Sequence, residues 1–107
     1  MSNSYDGWQN ALSVLDEAKP PFFPAGAEVK SVVVALPPGS AGFPPHQHSG
    51  PSFYYQLEGE LKFELDGEPP RVMRAGEAFW EPGGDVTHHT NANNREDMWC
   101  RFVETML

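Results

Sequence analysis

Phe53-Tyr54-Tyr55-Gln56-Leu57-Glu58-Gly59-Glu60-Leu61-Lys62-Phe63-Glu64-Leu65-Asp66-Gly67 is the stretch whose reading decides the fold. Leu61, Phe63 and Leu65 alternate with Lys62 and Glu64, the period of a strand with one face buried and the other wet. Asp66-Gly67 is a strong hairpin signal, since both residue types tolerate the backbone of a tight reversal. Upstream, the aromatic run Phe53 to Glu58 reads as a second strand that turns at Glu58-Gly59. Neighbouring strands joined by short turns predict antiparallel β-structure.

The same pattern continues outward in both directions. Val29 to Leu36 predicts a strand whose Val32-Val33-Val34 run suggests burial on both faces, ended by Pro37-Pro38-Gly39. His46 to His48 forms a short strand broken by Ser49-Gly50-Pro51. Arg71 to Arg74, Ala78 to Glu81, Thr87 to Thr90 and Met98 to Met106 supply the rest, with turns at Pro82-Gly83-Gly84-Asp85 and at Asn91 to Asn94. About eight or nine short strands at this spacing predict an all-β sandwich or small β-barrel over roughly 22–106. The one helical candidate is Asp6 to Ala18, where Trp8, Leu12 and Leu15 recur at helical spacing, Asp6 can cap the start and Pro20-Pro21 forbids continuation. Such a helix would lay Trp8 and Leu12 over an open end of the barrel. Residues 1–107 make one domain.

Composition narrows the function. A net charge of −8 with only 7 Lys and Arg argues against nucleic acid and against an anionic membrane surface. Cys100 is the lone cysteine, so no intrachain disulfide framework exists and a reducing compartment fits. Met1 to Asn10 has no apolar core of a signal peptide, and the longest aliphatic run, Val32 to Leu36, is too short to span a bilayer. The expectation is a cytoplasmic protein. Exposed sheet edges and the Phe22-Phe23 segment suggest pairing into a homodimer.

The 4 histidines occur as two pairs, His46 with His48 and His88 with His89. Residues two apart on a strand share a face, so His46 and His48 project together and can close on one ion. His88 and His89 point to opposite faces, so at most one joins them.

In this setting the sequence resembles the cupin superfamily, of the single-domain, cupin 2 conserved-barrel type. The first motif of that family is Gly-x5-His-x-His-x3,4-Glu-x6-Gly, matched at His46, His48 and Gly59 with Gly39 one residue early. The second is Gly-x5-Pro-x-Gly-x2-His-x3-Asn, matched at Gly76, Pro82 and Gly84, with Asn91 at its Asn. Between them, Tyr55-Gln56-Leu57-Glu58-Gly59-Glu60-Leu61 resembles the family's aromatic-valine-leucine-glutamate-glycine-glutamate run. The resemblance spans about residues 30 to 104 and implies a jelly-roll-like barrel.

It also implies a metal, with two departures. The family's metal-binding Glu falls on Ser52, a poor neutral ligand, and the second motif's His falls on Thr87. His88 serves as third ligand if the turn at Gly83-Gly84 absorbs one extra residue; His89 is the alternative, and a third is that Thr87 holds the position and the metal is lost. The implied site is His46, His48 and His88 around one divalent ion (Fe, Mn, Ni or Zn). Three imidazoles leave the ion's charge uncompensated, which suits an anionic bidentate small molecule and then O2, as in cupin dioxygenases that lack the Glu. Gln56, Ser52 and Glu81 are candidate additional ligands or supports behind the histidines. For Glu81 an outward, solvated position is the simpler expectation. Phe43, Tyr54 and Phe79 are candidate pocket walls, each explained as well by core packing. The function expected is that of a metal-dependent dioxygenase; the alternatives are a non-catalytic ligand-binding or sensing module and a metal-assisted isomerase or lyase.

Overall fold

The computed structural model describes residues 12–107. Among them run seven strands: β1 (Lys30–Leu36), β2 (Ser52–Glu58), β3 (Glu60–Leu65), β4 (Arg71–Arg74), β5 (Ala78–Glu81), β6 (His88–Asn93) and β7 (Cys100–Met106). One sheet has the order β1-β7-β2-β5 and the other β4-β3-β6, every pairing antiparallel. The all-β expectation holds, with the inner faces of the two sheets meeting in a core of Leu36, Tyr54, Leu61, Phe63, Leu65, Met73, Phe79, Cys100 and Phe102. Phe63 and Phe102 are fully enclosed. Tyr54 stacks on Phe79 with ring centroids 4.7 Å apart, and Phe63 meets Phe79 edge-on at 5.1 Å.

The turn from β2 into β3 depends on Gly59. Its φ is +70°, and a Cβ there would stand 2.2 Å from the carbonyl oxygen of Trp99. Only glycine lets the chain cross that close to β7 and start the alternating strand.

Several expectations are corrected. The predicted helix over 6–18 is absent from residues 12–18; its remainder lies outside the described residues. Leu12, Val14 and Leu15 are 87%, 62% and 60% exposed, so no apolar face is buried to hold a helix this short. Leu12 therefore covers no barrel end. β1 is buried on one face only: Val32 and Val34 are half-buried while Val33 is 62% exposed, its outer side uncovered among the described residues. His46 to His48 contributes a single bridge, His46 to His88, instead of a strand. Asn91 to Asn93 continue β6 where a turn was expected.

Candidate metal centre

His46 and His48 lie on the segment between β1 and β2, and His88 opens β6. His46 N–H donates to the His88 carbonyl at 3.1 Å and His88 N–H donates back at 2.8 Å. Gly84 N–H donates to the His48 carbonyl at 2.7 Å, tying the second histidine to the turn before β6. The two loops touch at Gly83 (φ +73°), where a Cβ would meet the Gly50 carbonyl oxygen at 2.1 Å. The glycine pair thus brings the two histidine-bearing segments to backbone contact.

These segments bring His46, His48 and His88 together, one ligand atom of each lying within 4.8 Å of the others. His46 Nδ1 is 2.8 Å from the Pro44 carbonyl. A carbonyl only accepts, so Nδ1 carries the proton and the Nε2 lone pair faces inward. That Nε2 lies 3.0 Å from His48 Nε2. Both ring nitrogens of His88 are buried without a hydrogen-bond partner. Lone pairs converging with too few protons among them are the arrangement a divalent cation resolves, and the imidazole set suits first-row ions. The donor set fits a metal.

The extra residue in the second motif is absorbed twice. The turn carries one more residue before His88, and β6 then skips one partner: Glu64 pairs with Thr90 and Leu65 with His88. His89 is the bulged residue. The bulge restores parity, so that His88 and Asn91 both face the core, at 1% and 4% exposure. His89 points outward, 3.1 Å from Asp66 and exposed.

Glu81 reverses the expectation of a solvated side chain. It is 1% exposed, its Oε1 lies 2.9 Å from His48 Nε2 and its Oε2 3.3 Å from His88 Nδ1. Phe79 and Glu81 share the inner face of β5, and Tyr54 donates its hydroxyl hydrogen to Glu81 Oε1. Ser52 is fully buried directly opposite Glu81, its Oγ unpartnered. Gln56, in contrast, is at the far end of β2, its amide nitrogen donating to the Glu58 carbonyl (2.9 Å) and lying 3.3 Å from Cys100 Sγ. It does not join the histidines. Phe43 is 47% exposed and lines a surface recess with Pro44 and His46. Tyr54 and Phe79 are core residues; Tyr54 stands edge-on to His88 with ring centroids 6.5 Å apart, and the core ring nearest His88 is Phe63 at 4.5 Å.

Sequence reading missed Glu104. It is 6% exposed on the inner face of β7, opposite Tyr54, with Oε2 3.9 Å from His48 Nε2 and no hydrogen-bond partner. The signal was available: Cys100, Phe102 and Glu104 share one parity, which puts a carboxylate on the apolar face of a strand. Beside His48 a cavity of about 330 Å3 opens, walled by Pro24, Ala27, Lys30 and Met106 among others.

Charge at the site is strongly coupled. Burial raises the Glu81 carboxyl, but the hydrogen bond from His48, the His88 imidazole beside it and the Tyr54 hydroxyl outweigh it and bring it down to about 2. The hydrogen bond to Glu81 lifts His48 above 6.5 against the opposing effect of burial, with the Glu81 and Glu104 charges adding to it. Burial, then the same two carboxylates, push the Tyr54 phenol far above its usual range, so it stays protonated. For the metal-free protein this gives a defined pH profile. Glu81 contributes fully above its unfolded value of 4.5 and is lost as pH falls towards 2; His48 contributes fully below 6.5 and is lost as pH rises through its higher folded value. The urea midpoint of the metal-free protein should therefore peak between these limits, the Glu81 limb amounting to something on the order of 3 kcal/mol. A midpoint flat from pH 3 to 8 would contradict the pairing.

Comparison with known proteins gives consistent matches. The Cupin domain family model matches residues 32–106. Dimethylsulfoniopropionate lyase DddQ from Ruegeria pomeroyi is 31% identical over 86 residues, 77% of this chain and 42% of that protein. Its crystal structure superposes with a TM-score of 0.57 at 28% identity, covering 73% of this chain and 37% of that one. KdgF from Halomonas sp. gives 0.57 at 26% identity, over 74% and 70% of the two chains. HppE, solved with Fe(II) and substrate, gives 0.62 at 14% identity over 74% of this chain and 45% of that one, a likeness of fold alone. The chain thus spans less than half the length of DddQ.

Proposed function

The chain belongs to the cupin family, and we propose that it is a metal-dependent lyase or isomerase that moves a proton on a small carboxylate- or carbonyl-bearing substrate. The observation that carries this reading is Glu104, a buried carboxylate oxygen without a partner beside the histidine cluster. A general base must be held within reach of the reacting carbon and spared from other bonds; Glu104 Oε2 is without a partner, and its place 3.9 Å from His48 Nε2 would set it beside a substrate held by the ion. The bound ion would polarise the substrate's carbonyl or carboxylate oxygen. Glu104 takes the proton from the adjacent carbon; the released C–H electron pair forms a double bond, and in an elimination the leaving group departs from the next carbon with its own bonding pair. No oxidant is consumed. Tyr54, kept protonated, holds Glu81 in place from below. The likeness to a dimethylsulfoniopropionate lyase agrees with this chemistry.

The dioxygenase reading rests on the three imidazoles, which leave positions open to substrate and O2. Protein reconstituted with Fe(II), Mn(II), Ni(II) or Zn(II) separates the two. The expected result under anaerobic conditions is dimethyl sulfide release from dimethylsulfoniopropionate, or solvent deuterium entering the carbon next to the carboxylate or carbonyl of small keto and carboxylic acids. Glu104→Gln should slow this by about 10²- to 10⁴-fold with metal content unchanged. Oxygen uptake with diketones, thiols or phenolic acids, and no exchange without it, would instead establish the dioxygenase. No turnover of any of these by the loaded protein would favour a binding module.

A further inference from the structure

We infer that Glu81 is itself a ligand of the ion, so that the acidic ligand has moved across the strand pair from β2 to β5. The inference rests on the metal-binding part of the function proposed above and not on the reaction. Three observations lead to it.

The first is which nitrogen the carboxylate touches. A carboxylate that merely supports a ligating histidine sits on the nitrogen facing away from the ion, as the Pro44 carbonyl does on His46 Nδ1. Glu81 Oε1 instead lies 2.9 Å from His48 Nε2, and that same Nε2 is 3.0 Å from His46 Nε2. The carboxylate is therefore on the ion side of the ring. Its other oxygen reaches towards a second histidine of the cluster, His88, at 3.3 Å and is left without a hydrogen bond.

The second is the register. Ser52 and Glu81 are direct partners in the β2–β5 ladder, both on the inner face and both at most 1% exposed. Directly opposed side chains in an antiparallel pair start about 4.5–5.5 Å apart at Cβ. A carboxylate rooted on either strand can therefore reach the same point. Ser52 is where the cupin motif places its Glu, so the residue lost there has a counterpart one strand away.

The third is charge. A divalent ion held by neutral imidazoles alone keeps its full charge in a buried setting, and a buried uncompensated charge is costly. Glu81 is enclosed, at 1% exposure, and has no Lys or Arg ion-pair partner among the described residues.

The test exchanges the two positions and reads metal affinity by chelator competition with Zn(II) and Co(II), together with the visible spectrum of the Co(II) protein. Glu81→Ser and Glu81→Gln should each bind at least about 30-fold more weakly, with a changed Co(II) spectrum. The double variant Ser52→Glu/Glu81→Ser should recover affinity to within about fivefold of wild type and restore the spectrum. A Glu81→Gln protein with the affinity and Co(II) spectrum of wild type overturns the inference, and leaves the three-histidine site standing. So does a double variant that keeps the wild-type urea midpoint yet binds as weakly as Glu81→Ser. If the double variant does not fold, the near-isosteric Glu81→Gln decides through its spectrum. A wild-type protein that takes up neither ion would sink the inference and the metal-dependent function together.

Discussion

His48→Ala should abolish tight metal binding, with affinity for Zn(II) or Co(II) falling by well over the roughly 10- to 100-fold that loss of a supporting group behind a ligand costs. His48 is the hub of the site. One atom, Nε2, stands 3.0 Å from His46 Nε2, 2.9 Å from Glu81 Oε1 and 3.9 Å from Glu104 Oε2. Removing it takes away a ligand and leaves two buried carboxylates facing each other without the imidazole between them. The metal-free variant should also be less stable by about 3 kcal/mol, since breaking a buried ion pair from one side strands the other charge. His89→Ala is the matched control. His89 belongs to an exposed pair with Asp66, so its removal should leave metal content unchanged and alter stability by less than about 1 kcal/mol. Equal metal affinities for wild type and His48→Ala, measured by chelator competition, would remove the histidine cluster as the metal centre.

The contrast between His88 and His89 also shows how far sequence reaches. β3, β4 and β5 are read to their ends, because alternation, a hairpin dipeptide and flanking Gly or Pro all agree there. That His46 and His48 act as a pair was legible from spacing, although the segment holds one bridge and no strand. Which member of His88-His89 faces inward was not legible from spacing alone. The answer depends on a bulge at His89, and a bulge comes from register with Glu64 and Leu65, residues over twenty positions upstream.

Charge on the inner face was the larger omission. Glu81 ends a four-residue strand before a proline, too short for periodicity to assign its face, and an isolated carboxylate is by default solvated. Its burial becomes intelligible only with His48 and His88 in place. Glu104 needed no such help, since it shares a face with Phe102 and Cys100. The N-terminal segment failed for the opposite reason. Its spacing suits a helix locally, but Leu12, Val14 and Leu15 stay largely exposed and bury no apolar face that would hold one. Gln56 looked like a site residue because parity placed it on the face of Ser52 and Tyr54. Parity gives a face and says nothing of distance along it; two residues of strand advance about 6–7 Å, and Gln56 ends against Cys100.

Asn93→Ala should be the most destabilising polar substitution remote from the metal centre, lowering stability by about 2–4 kcal/mol. The side chain is a buried junction. Its amide nitrogen lies within hydrogen-bond distance of the carbonyls of Leu36 (3.2 Å), Pro37 (3.0 Å) and Met98 (2.8 Å), which share its two hydrogens, and its Oδ1 accepts from the Arg95 backbone N–H at 2.8 Å. Those groups belong to the end of β1, the approach to β7 and the loop after β6; the first two meet in the β1–β7 ladder only at its last pair, Leu36 with Cys100. Alanine removes every one of these bonds and admits too little space for water to replace them at an 8% exposed position. Asparagine is needed in both its halves. Asn93→Asp keeps the acceptor for Arg95 but turns a second oxygen and a negative charge towards three carbonyls, so it should be at least as damaging as alanine. Asn94, one residue on, makes an exposed side-chain bond to Glu60 at 2.9 Å, and Asn94→Ala should cost less than about 1 kcal/mol. Urea unfolding of the metal-free proteins measures the difference, with the dependence on denaturant unchanged if the variants unfold from the same compact state. Similar midpoints for Asn93→Ala and Asn94→Ala would mean that the β1, β6 and β7 ends are held by their ladders and not by this side chain. The expected separation is large because backbone carbonyls in a buried junction have no other donor to turn to, whereas those at an exposed turn have water.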